Sequence, residues 1–140
     1  MKKIIVAISL IATFGCASGP DPKDTVFEFI DAVKSSDSLR VISILDIDSY
    51  IKTQSSDISP DDSATAPGEN RVKIIQSLLG DGEVRQRWLT SLIVVNKEAV
   101  QGNLAEVEVS FIDRQAGHQL YTKMQLERQP DRTWRITYFR

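Results

Sequence analysis

The stretch that decides the fold is Ala105-Glu106-Val107-Glu108-Val109-Ser110-Phe111, together with Leu120-Tyr121-Thr122-Lys123-Met124-Gln125-Leu126-Glu127 and Trp134-Arg135-Ile136-Thr137-Tyr138. In the first, apolar Ala105, Val107, Val109 and Phe111 alternate with Glu106, Glu108 and Ser110. In the second, Leu120, Met124 and Leu126 share a face with Thr122, and in the third Trp134, Ile136 and Tyr138 alternate with Arg135 and Thr137. Successive side chains of a strand point to opposite faces, so each segment offers one apolar and one polar side. This predicts an antiparallel sheet covered on one face, filling the chain from Trp88 to Phe139. Leu89 to Val100 reads as its first long strand, and the run Leu92-Ile93-Val94-Val95, apolar on both faces, predicts an enclosed place in the sheet. Gln101-Gly102-Asn103 reads as a hairpin, Arg114 to Gly117 as a turn and Pro130-Asp131 as a second turn, leaving Thr133 to Phe139 as the last of about four strands.

Upstream, the spacing is helical. Asp21-Pro22 opens a helix whose inner face carries Val26, Phe29, Ile30 and Val33, and Ser35-Ser36-Asp37 closes it and caps the next. That second helix, with Leu39, Val41, Ile42, Ile44 and Leu45 as its apolar stripe, extends to about Tyr50. Thr53 to Gly68 reads as a polar loop carrying Asp57, Ser59, Pro60, Asp61, Asp62 and Pro67. Asn70 is the cap expected for a third helix, with Val72, Ile75, Leu78 and Leu79 inside and Gly80 as its stop, and Asp81-Gly82 leads into the strands.

A chain of 140 residues is one domain, and at 41% apolar it can build a core without metal or disulfide. One cysteine excludes an internal disulfide. Lys2 and Lys3 precede an apolar run, Ile4 to Phe14, of export-signal length and too short to span a bilayer as a helix. Without those two lysines, 15 basic residues face 19 acidic ones, a balance that disfavours a nucleic-acid partner.

Gly15-Cys16 after that run resembles the lipobox of bacterial lipoproteins, although Thr13 and Phe14 stand where the motif prefers Leu and a small residue. The resemblance implies that residues 1–15 form a lipoprotein signal peptide and that Cys16 is the lipidation site, carrying acyl chains such as palmitate. Residues 16–21 then form a short tether and residues 22–140 a single α+β domain with a flexible loop at 53–69. Ala17, in place of the Asp that retains such proteins in the inner membrane, implies an outer-membrane address facing the periplasm where the host has one. An ordinary export signal cut after Ser18 or Gly19 is the alternative.

Helices followed by an antiparallel meander, with the Gly102-Asn103 hairpin and Trp134-Arg135-Ile136 in the last strand, resemble the nuclear-transport-factor-2-like superfamily with its cystatin-like layout. The resemblance spans Asp21 to Arg140 and implies a curved sheet wrapped round helices into a cone with an apolar pocket. Enzymes of that superfamily use an Asp base with Tyr or Asp donors in the cone, so the strand residues to weigh are Asp113, Tyr121 and Tyr138. Asp113 adjoins a turn, and Tyr138 shares the face of Trp134, which favours the core.

His118 stands alone in a turn, Asp61-Asp62 lacks calcium-loop spacing, and Tyr50 breaks the pattern begun by Asp46 and Asp48. Trp88 reads as packing. No catalytic, cofactor-binding or metal-binding residue is expected. The chain is read as an exported, lipid-anchored cell-envelope module that binds an envelope protein, an apolar ligand or a second copy of itself. The competing expectation is a small enzyme acting on a hydrophobic substrate in the cone.

Overall fold

The computed structural model describes residues 19–56 and 67–140. The order is five helices and then four strands: α1 (Pro22–Ser35), α2 (Ser38–Ile44), α3 (Ile47–Ser56), α4 (Pro67–Leu78), α5 (Glu83–Thr90), β1 (Ser91–Gln101), β2 (Leu104–Asp113), β3 (Gln119–Arg128) and β4 (Trp134–Tyr138). The strands form one antiparallel sheet in sequence order. The fold is therefore α+β, with N-terminal helices packed on one face of a curved antiparallel sheet of four strands. The curvature has a local source: the β1–β2 register slips between Val95 and Glu98, and such a bulge bends and twists its strand.

α1 forms as its residues dictate. Asp21 caps it by accepting from the Lys23 amide at 3.2 Å, and Pro22 occupies the first turn, where its missing amide costs nothing. Ser36 ends the helix in the left-handed region, and Asp37 caps α2 by accepting from Arg40 N at 3.1 Å. Val26, Phe29, Ile30 and Val33 of α1 are buried against the sheet. They meet Ala105, Val107, Val109 and Phe111 of β2, Thr122, Met124 and Leu126 of β3, and Trp134 and Ile136 of β4, the faces expected from alternation.

Four expectations are corrected. The extended region does not begin at Trp88, because residues 83–90 are helical. Glu83 and Arg87 pair one turn apart at 2.9 Å, and Arg85, Gln86 and Leu89 are good helix formers. The single second helix is two, broken where Leu45 forms a parallel bridge to Ile136 and Asp46 N donates to Ile136 O. Asp46 then caps α3, accepting from Ser49 N. β1 is not enclosed: it is an edge strand, and Leu92 and Val94 are 46% and 39% exposed. Leu39, Ile42, Val72 and Leu120 are likewise exposed rather than buried in the core.

Helix α3 runs to Ser56 and α4 starts at Pro67, before Asn70, so residues 53–56 and 67–69, expected in the loop, are helical; residues 57–66 lie outside the described residues. Gly80 ends the α4 region with φ of 56°, a conformation that costs glycine nothing. The register slip between β3 and β4 at Gln125/Leu126 changes which C-terminal aromatic enters the core. Phe139 is buried, and Tyr138 is only half-buried beside Tyr50.

Candidate functional site

The space between helices and sheet is where a cone-type active site would lie, and aromatic side chains fill it. Trp88 from α5 stacks on Phe111 of β2 at 5.3 Å between ring centroids and meets Phe29 of α1 edge-on at 5.9 Å. Phe139 lies 5.7 Å from Phe29, 6.0 Å from Trp88 and 5.0 Å from Tyr50, closing the cluster from the carboxyl end. Such ring pairs prefer tilted and offset contacts, and they add to the area they bury. Trp88 is thus a packing residue, delivered by a helix rather than a strand.

The buried hydroxyls are hydrogen-bonded. Thr25 Oγ1 donates to Asp21 O at 3.3 Å, Ser91 Oγ to Arg87 O at 2.8 Å, and Thr122 Oγ1 to the Arg140 carbonyl. Ser110 accepts from Asn96 Nδ2 at 2.7 Å. The Tyr50 phenol is pushed up by burial and then by Tyr138, which keeps it protonated.

The residues weighed from sequence do not converge. Asp113 ends β2 and holds the turn after it: its carboxylate accepts from the amides of Ala116 at 3.0 Å and Gln115 at 2.7 Å, and these hold its pKa below the usual carboxylate range. His118 is exposed on that same turn, and its carbonyl accepts from Asp113 N at 2.9 Å. Tyr121 is 65% exposed on the outward face of the sheet. Asp48 pairs with Arg71 across α3 and α4. Cys16, Asp61 and Asp62 lie outside the described residues. Among the described residues no group of three or more His, Cys, Asp or Glu could hold a metal ion, and no helix is long and apolar enough to cross a membrane.

One raised carboxyl exists elsewhere. Glu98 of β1 lies against the start of α1, where its hydrogen bond with Asp21 first and burial second raise its pKa, while its carboxylate accepts from Lys23 N at 3.3 Å. It is partly exposed and stands at the rim of the helix–sheet layer.

The exposed apolar features are on the far side of the sheet, the face on which Tyr121 was expected to stand. Register places Leu92 and Val94 of β1 opposite Ile112 and Ser110 of β2, and Tyr121 of β3 opposite Ser110. They form an apolar patch around the buried Asn96–Ser110 hydrogen bond. At the other end of that face an open groove of about 560 Å³ is lined by Ala99, Gln101, Leu104, Glu106, Gln125 and Thr137 among others. The signal for the patch was present in the run 92–95, whose second set of apolar positions had no partner in the helical half.

No protein-family model matches this chain, and no curated protein matches it. A solved structure from Campylobacter jejuni, described as an NTF2-like transpeptidase, is similar over 84% of this chain and 97% of that one. The identity is 15% and the TM-score 0.49.

Proposed function

We propose that the chain is a lipid-anchored cell-envelope protein that works as a non-enzymatic interaction module, engaging its partner through the outward face of the sheet. The observation that carries this is the filled interior. Catalysis on a hydrophobic substrate needs a roomy cavity with an enclosed group of shifted acidity. Here the corresponding space holds Phe29, Trp88, Phe111 and Phe139, and the buried hydroxyls are engaged by neighbouring backbone or by Asn96. The apolar ligand expected inside the cone would have to displace that core. The exposed patch of Leu92, Val94 and Tyr121 offers a face that an envelope protein or a second copy could cover.

The anchor rests on Gly15-Cys16 after the charged and apolar leader. Two or three acyl chains give durable attachment where one gives marginal binding. Outer-membrane placement follows the same resemblance through Ala17.

The test is photo-crosslinking in intact cells from a benzophenone side chain at Tyr121, with Gln54 on the exposed side of α3 as control. A discrete protein adduct from 121 that disappears in Cys16→Ser supports the reading. No adduct from 121, with a small apolar molecule co-purifying in stoichiometric amount, contradicts it.

A further inference from the structure

We infer that the end of the domain formed by the β1–β2 hairpin and the β3–β4 turn rests on the lipid bilayer, with Val100 and Leu104 entering the headgroup–acyl boundary and Arg128 and Arg132 meeting lipid phosphates. The inference rests on the anchored reading of Cys16 and adds the orientation of the domain on its membrane.

Chain length limits the geometry. Gly19 is three residues beyond Cys16, and three extended steps reach only about 10 Å. Gly19 is packed against the β3–β4 turn: a Cβ built on it would lie 3.1 Å from Arg132 O. The turn is in its turn fastened to the first hairpin, because Arg128 N donates to Asn103 O at 2.7 Å. An acylated Cys16 therefore holds this end, and not the opposite end with the Asp113–His118 turn, within reach of the bilayer.

The surface chemistry at this end suits that neighbour. Val100 and Leu104, flanking the hairpin, are 49% and 60% exposed. Exposed apolar side chains at the end of a hairpin can insert shallowly at a membrane interface. Beside them a hollow of about 520 Å³ is lined by Asn103, Arg128, Pro130 and Arg132 together with Glu127 and Gln129. Arg128 lies over the Trp134 ring at 4.7 Å, and both arginines are exposed on the rim. A guanidinium fork matches a phosphate, and basic groups near an anionic surface add to the attraction. The acidic pair Asp21 and Glu98 is set back, since Glu98 is three residues from Gln101, or about 10 Å along the strand, and Asp131, which does lie in the β3–β4 turn, has its carboxylate engaged there, accepting from Thr133 N at 3.0 Å and Thr133 Oγ1 at 2.6 Å.

The experiment is hydrogen–deuterium exchange of the acylated protein on phosphatidylethanolamine–phosphatidylglycerol vesicles, with the mass of the Cys16 peptide read from the same sample. Amides of 99–105 and 128–132 are expected to exchange more slowly on vesicles than in detergent, while those of 113–118 do not change. The double variant Val100→Asp/Leu104→Asp, at exposed positions, should lose that protection while remaining vesicle-bound. Acylated protein with no protection at 99–105, or with protection at 113–118 instead, overturns the orientation and leaves the anchor standing. A Cys16 peptide without acyl mass overturns the anchor and the orientation with it. Protection at 99–105 that grows with protein concentration in the absence of vesicles assigns this end to a second copy and also overturns the inference.

Discussion

At the scale of single residues, charge and packing act at different places and can be separated. Phe29 bridges Trp88 and Phe139, so Phe29→Ala should cost about 3–5 kcal/mol in chemical denaturation, as large-to-small changes in filled cores do. Two carboxyls should show opposite pH dependence. Asp113 is lowered in the folded state by the amides of Ala116 and Gln115, so its contribution is present above its unfolded value and is lost as pH falls through the folded one. Asp113→Asn should therefore lower the melting temperature at pH 7, with the deficit closing on acidification. Glu98 is raised by Asp21, so its ionisation opposes folding as pH rises through the unfolded and then the folded value. Relative to wild type, Glu98→Gln should gain melting temperature between pH 4 and pH 7; parallel curves for the two proteins would contradict the Asp21–Glu98 coupling. The alternation of Val107 and Val109 was legible because period two depends on the chain alone. The exchange of Tyr138 for Phe139 in the core was not, because it follows from a register slip against β3 that no local pattern encodes.

At the scale of elements, the short α5 was the main surprise, and the structure shows how it is held. Arg85 donates from Nε to Val33 O at 3.1 Å, and from its terminal nitrogens to Lys34 O and Gly80 O at 2.8 and 2.7 Å. It thus ties α5 to the last carbonyls of α1 and to the turn after α4. Arg85→Lys keeps the charge but loses the fork, so both Arg85→Lys and Arg85→Ala should destabilise, by about 1–3 kcal/mol for Ala in urea unfolding. If Lys matches wild type, the forked contact is not what matters. Gly82 enters α5 so close to α4 that a Cβ would collide with the carbonyl oxygens of Gln76 and Ser77. Gly82→Ala should therefore cost about 3 kcal/mol, the upper end of ordinary substitutions. Asp81-Gly82 looked like the approach to a strand because Leu89 and Leu92-Ile93-Val94-Val95 suggested one long extended run. The Glu83–Arg87 spacing was the local evidence for a helix. The break at Leu45 was hidden for another reason: it is made by pairing with Ile136, 91 residues away.

At the scale of the whole molecule, helices cover one face of the sheet and leave the other open, and the proposed partner is placed on the open one. Element order and the covered face were legible from patterning, since burial of one side of a sheet leaves its mark on every second residue. The filling of the cone was not legible, because it depends on Trp88, Phe111 and Phe139 arriving together from α5, β2 and the carboxyl end. Attachment belongs to this scale too. Cys16→Ser should move the protein out of the membrane fraction and remove its acyl mass, whereas wild-type protein found unbound and beginning at Ser18 or later would sink the anchor. The central claim is that binding happens outside the packed layer. Methyl NMR of the domain, titrated with detergent-solubilised envelope extract, tests it most directly. Shifts or broadening are expected at Leu92, Val94 and Ile112 with Val107, Val109 and Met124 unmoved; changes confined to Val107, Val109 and Met124 would place the binding inside the layer instead.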